Sequence, residues 1–203
     1  MGRLISRRSL AVAIIMVLVA PAVASGWCWF WCYVPPAVTD VTFEELDVSR
    51  ASVKLIEVEN RRLNSYQRIS LDDTVVMDPA TVDGASVLTF PEITLVKDDG
   101  DDQTQDPTVT ITLDPATLRQ SCFCSWFYTT GTANVDADGD GASEVVPVKA
   151  HGSVCERQGV YYLRVHVRGY VKQVDGETGV KNITVLCFSI RSEGTDTPVD
   201  PPA

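Results

Sequence analysis

The densest chemistry in the chain is the stretch Asp136-Ala137-Asp138-Gly139-Asp140-Gly141-Ala142-Ser143-Glu144. Three aspartates take alternate positions, glycines stand where the backbone must curl, and a fourth acid follows at the ninth place. Carboxylates spaced in this way wrap a hard cation, and calcium is the usual one. Asp136, Asp138, Asp140 and Glu144 would offer side-chain oxygens and Ala142 its carbonyl, with Glu144 bound directly or through a water. The expected role of the metal is structural. Crowded carboxylates repel one another, so calcium would neutralise them, pin the flanking segments and stabilise the fold by mass action.

A full EF-hand is excluded, because its twelfth position needs an acid and Pro147 stands there. The segment from Asp136 to Val146 resembles instead the calcium loops of FG-GAP and related β-propeller repeats, with the pattern D-x-D-G-D-G-x-x-[DE] followed by two apolar residues. Similar loops occur in dockerins and thrombospondin type 3 repeats. The resemblance implies calcium at these positions and not a propeller, whose further repeats are absent from the sequence.

Six cysteines are the second candidate set: Cys28, Cys32, Cys122, Cys124, Cys155 and Cys187. An even count in an exported chain reads as a disulfide framework, and three bridges could be wired in about 15 ways. Cys122 and Cys124 lie two apart, so on a strand they point to one side and should take different partners. Cys28 and Cys32 are natural candidates for them, and Cys155 and Cys187, on or beside the C-terminal strands, are the expected third pair. A thiol-based metal or redox centre is the competing use of the same residues.

Only His151 and His166 could serve as near-neutral bases. His166 stands between Arg164 and Arg168 on an outward face, and His151-Gly152-Ser153 lacks the strand-turn-helix context of a hydrolase elbow. No pair of acids has a spacing that marks a glycosidase. Binding is therefore expected over catalysis, with a glycan or a cell-surface protein as partner. A small extracytoplasmic hydrolase acting on polysaccharide is the alternative.

The ends of the chain bear on compartment. Arg3, Arg7 and Arg8 precede an apolar run from Leu10 to Ala20 and the small residues Ala22-Val23-Ala24, which predicts a signal peptide over residues 1–24. Ser6-Arg7-Arg8 also fits a twin-arginine signal, but the general secretory route is expected. The apolar run is too short for a comfortable span, so no stable membrane segment is expected after cleavage. The destination is periplasmic or secreted. Loss of the three leader arginines moves the formal charge from −10 to −13, a balance that repels nucleic acid and anionic lipid.

The elements that must hold these residues read as strands. Thr108 to Leu113 alternates without a fault, placing Val109, Ile111 and Leu113 on one face. Tyr161, Leu163, Val165 and Val167 alternate with Arg164, His166 and Arg168, and Asp175 to Gly179 supplies a turn before a returning strand. Within that strand, Ile183 to Phe188 is apolar on both faces, which signals cover on both sides or a bulge. The stretch from Glu57 to Leu63 would suit strand or helix, and strand is preferred. Strand signals without long amphipathic helices predict an all-β fold: an antiparallel β-sandwich or open barrel, stapled by disulfides. The expected organisation is an aromatic, cysteine-rich N-terminus over 25–36, one β domain over 37–191, and a disordered tail over 192–203.

Overall fold

A computed structural model describes residues 37–71, 73–76, 78–97, 106–137, 139 and 141–196. The leader, the aromatic stretch with Cys28 and Cys32, the acidic run at 98–105, Asp138, Asp140 and the tail from 197 onward lie outside the described residues. Among the described residues every regular element is a strand: β1 (Val41–Phe43), β2 (Asp47–Glu59), β3 (Arg62–Ser70), β4 (Asp73–Val76) and β5 (Ala80–Val82) come first. Then follow β6 (Val87–Thr89), β7 (Ile93–Val96), β8 (Thr108–Leu113), β9 (Ala116–Thr117) and β10 (Arg119–Gln120). Four long strands complete the chain: β11 (Ser125–Asp136), β12 (Glu144–Arg157), β13 (Val160–Val174) and β14 (Lys181–Asp196).

All pairings are antiparallel, and one hydrogen-bonded path runs β4-β7-β8-β11-β12-β13-β14 before it divides. From Lys181 to Arg191, β14 pairs with β2, which pairs with β3; at Thr195 and Asp196 it pairs with β1. From β1 the path continues through β5 and β6 to β9. One residue later β10 pairs with β11, and the amide of Leu118 between them donates to Ser86. The ladder thus returns to β11, so this end is ringed by strands while the other stays open. The described residues form a curled antiparallel sheet, a half-barrel that agrees with the open-barrel form of the expected all-β architecture.

Cross-strand rows on the concave face explain the curl. One row reads Leu113–Gly131–Val148–Gly169–Leu186–Val53–Ile69, and another reads Phe127–Gly152–Val165–Ile190. Inward side chains converge on the concave side of a curved sheet, so large residues need small neighbours. The glycines supply that space. A Cβ on Gly131 would sit 2.1 Å from the carbonyl oxygen of Thr112, and one on Gly152 would sit 2.1 Å from that of Arg164. Around them Val109, Ile111, Leu163, Val165, Leu186, Phe188 and Ile190 are all buried. At the ringed end Phe43 and Leu88 are fully buried, and Phe90 meets Phe127 with ring centroids 5.8 Å apart.

Three further features have local causes. The stretch from Glu57 to Leu63 is a strand hairpin, turned at Asn60 and Arg61, whose φ values of 49° and 64° make a two-residue turn of the kind that matches strand twist. The two-faced apolar run of β14 is explained by a bulge against β2, where the register shifts between Cys187 and Ser189 and Arg50 takes a φ of 59°. Strand β14 runs to Asp196, five residues past the expected boundary at Arg191. Small residues make this possible: Ser192 donates its hydroxyl to the Glu45 carbonyl, and Gly194 lies under the ring of Phe43.

Candidate functional site

The acidic loop joins β11 to β12 at the open end of the sheet. Val135 pairs with Glu144 across its base, and Asp136 pairs with Thr108 of β8 on the other side. Asp136 organises the loop: its Oδ1 accepts the Gly139 amide at 2.8 Å and its Oδ2 the Gly141 amide at 2.9 Å. Gly139 and Gly141 have φ values of 72° and 85°, the left-handed turn that glycine adopts without strain. Ala142 is exposed at the far side of the curl.

Glu144 behaves differently from the other acids. Its carboxylate accepts Gln173 Nε2 at 2.6 Å and Thr184 Oγ1 at 2.5 Å, which ties β12 to β13 and β14. The ninth-position acid is therefore turned into the sheet rather than toward the loop. Among the described residues no three His, Cys, Asp or Glu side chains converge as a metal cage; Asp138 and Asp140 fall outside them.

The cysteines separate into two environments. Cys124 bonds to Cys155, its neighbour across β11 and β12, with Cα atoms 4.4 Å apart. Cys122 is also disulfide-bonded. The expected Cys155–Cys187 pairing does not form. Strand β13 lies between them, with Cys155 opposite Tyr162 and Cys187 opposite Arg168, so they are two strand spacings apart (~10 Å) and offset along the strands. Cys187 is a free, exposed thiol on the convex face.

That convex face carries a grouping that single-strand reading could not assemble. Across the strands the register aligns Trp126–Ser153–Arg164–Arg191, then Tyr128–His151–His166–Ser189, then Thr130–Lys149–Arg168–Cys187. The two histidines of the chain are thus direct cross-strand neighbours, with ring centroids 5.5 Å apart, and His166 Nδ1 lies 2.9 Å from Ser189 Oγ. Trp126, Tyr128 and Tyr170 are 52%, 59% and 55% exposed. The alternation of Arg164, His166 and Arg168 was visible in sequence, and so was that of Lys149 and His151. Only the β12–β13 register brings them together.

A cleft of about 600 Å³ borders this face where β14 changes partner from β2 to β1. Its walls mix Glu44, Glu45, Asp47 and Glu193 with Arg164 and Arg191. Nearby, burial first, then the charge of Asp196 and its hydrogen bond, push the Tyr161 phenol above its ordinary range. A second cleft of about 410 Å³ lies beside Glu144, Gln173 and Thr184. No protein-family model matches the chain, and no curated protein matches it either.

Proposed function

We propose that this chain is an exported, calcium-stabilised all-β module that binds a ligand at the cell envelope rather than an enzyme. The observation that carries the calcium part is the hold of Asp136 on its loop. Both carboxylate oxygens draw in glycine amides, so the backbone curls within the alternate-acid pattern that suits a hard cation. Asp136, Asp138 and Asp140 with the Ala142 carbonyl would form the cage, and Glu144 would act through a water while keeping its bonds to Gln173 and Thr184. The metal would supply charge neutralisation and no chemistry. The Cys124–Cys155 bridge is consistent with an oxidising compartment and so with export.

The test is a thermal melt in EDTA and in calcium on wild type, Asp138→Ala and Glu144→Gln. Calcium at about a hundred times its Kd should raise the wild-type midpoint by about 5–10 °C. Asp138→Ala should lose most of that gain. Glu144→Gln should lower the midpoint in EDTA as well, because its bonds hold the sheet without metal. A wild-type midpoint that ignores calcium overturns the metal site.

A further inference from the structure

We infer that the convex face of β11–β14 is the binding surface of the module, and that its ligand is an anionic polysaccharide bearing carboxylate or sulfate groups. This rests on the binding-module part of the reading above and is independent of calcium.

The first support is the distribution of charge. The chain holds 27 Asp and Glu against 17 Lys and Arg. Yet the outward positions from Trp126 to Asn134 on β11, Val145 to Ser153 on β12, Tyr162 to Lys172 on β13 and Ile183 to Arg191 on β14 contain no carboxylate. They contain Lys149, Arg164, Arg168 and Lys172, together with the His151–His166 pair, and at the acid-lined edge of the strip Arg191, which stands opposite Asp47 of β2. The concave face cannot serve instead, since it is the apolar core. A basic field set on an acidic molecule attracts anions locally while its surroundings repel them, which selects a ligand that lies along the strip.

The second support is the kind of contact offered. Arg164, His166 and Arg168 repeat along β13 at two-residue steps, about 6.8 Å each, so they form an extended row rather than a pocket for one small ion. Guanidinium groups meet carboxylate and sulfate oxygens in a fork. Trp126 and Tyr128 flank the row on one side and Tyr170 continues it, each more than half exposed, with apolar ring faces for sugar rings to cover. A flat face with charged rows and open rings fits a chain of charged sugars. Nucleic acid could use the same groups, but its much denser charge would also meet the acid-rich remainder of the molecule, which opposes it.

The experiment measures binding of the full chain to dextran sulfate, polygalacturonate, neutral dextran and a single-stranded DNA oligomer at 50 and 200 mM salt. Dextran sulfate and polygalacturonate should bind, weaken steeply with salt, and lose about tenfold in affinity with Arg164→Gln/Arg168→Gln. Arg61→Gln/Arg62→Gln removes the same charge from the distant β2–β3 turn and should change affinity less than about twofold. All four positions are exposed, and a matched melting midpoint shows that the variants fold. Equal losses in the two double variants, or DNA bound as tightly as dextran sulfate, would overturn the inference. So would retention of neutral glycans alone, which would leave the binding-module reading intact. Cleavage of a polysaccharide would instead overturn that reading.

Discussion

Replacement of Gly152 by alanine tests whether the curl is built as described. Gly152 lies on the inner face of β12, opposite Phe127 on one side and Val165 on the other. Its new Cβ would stand 2.1 Å from the Arg164 carbonyl oxygen, 2.7 Å from Phe127 Cζ and 2.9 Å from Phe127 Cε1. Ordinary contact needs about 3.5 Å, so the oxygen must retreat by more than an ångström. That oxygen belongs to a paired strand, and it can move only by displacing the β12–β13 ladder. Overpacking commonly costs about 1–3 kcal/mol when side chains can adjust. A backbone obstacle puts this substitution higher, at about 3–5 kcal/mol, a large share of a typical domain's stability.

Urea unfolding of Gly152→Ala beside Gly176→Ala measures this directly. Gly176 has nothing within 4 Å of its Cβ position and no left-handed φ, so alanine there should shift stability by less than about 0.5 kcal/mol. Adding Phe127→Leu to Gly152→Ala should recover less than half of the loss, because it removes the ring and leaves the carbonyl. If Gly152→Ala unfolds within about 1 kcal/mol of wild type, the tight approach of β12 and β13 is wrong and the argument for curvature fails with it.

The remaining predictions concern the cysteines and the hairpin tip. Under denaturing, non-reducing conditions Cys187→Ser should lower the count of reactive thiols by one, while Cys124→Ser/Cys155→Ser should cost about 3–4 kcal/mol for the loop its 31-residue separation closes. The hydroxyl of Thr178 and the amides of Glu177 and Thr178 hold the Asp175 carboxyl below its ordinary range, so its ionised form favours the folded turn. That contribution is present at neutral pH and is lost as pH falls through the ordinary carboxylate range, near 4, and below it. Protection of the Glu177 and Gly179 amides, taken relative to intrinsic exchange at each pH, should fall on acidification in wild type and already be low, with no such acid step, in Asp175→Ala.

The sequence was most informative where one physical cause acts within one strand. Val109, Ile111 and Leu113 are buried as their alternation requires, and Leu163, Val165 and Val167 likewise, because half-burial writes itself at period two. It was least informative where a partner far along the chain decides. The strands that close the ring are two or three residues long, and Ala116–Thr117 and Arg119–Gln120 are strands only because β6 and β11 lie on either side of them. Arg61 gave no turn signal, since the left-handed φ it adopts is normally left to glycine or asparagine. Cys155 found Cys124 because β11 and β12 are adjacent, a fact about register that cysteine spacing does not carry.

The acidic loop combines both cases. Its pattern could be read from nine residues, but the fate of Glu144 could not, because its partners Gln173 and Thr184 lie 29 and 40 residues away. Those bonds change what a metal there would do. At one base of the loop Asp136 is fixed to β8 through Thr108, and at the other Glu144 is fixed to β13 and β14. Both ends are thus set by the sheet without a cation, so calcium would order the tip between them rather than assemble the hairpin. The far end of the same hairpin is held by Cys124–Cys155. Val145 and His151 are six residue steps apart along extended strand, about 20 Å, and Arg168 faces Lys149, four steps or about 14 Å from Val145, so the loop lies beyond a Debye length of the Arg164–His166–Arg168 row. Stability conferred by calcium and affinity for an anionic chain should therefore vary independently, and a variant that alters one while sparing the other is the expected behaviour of this sheet.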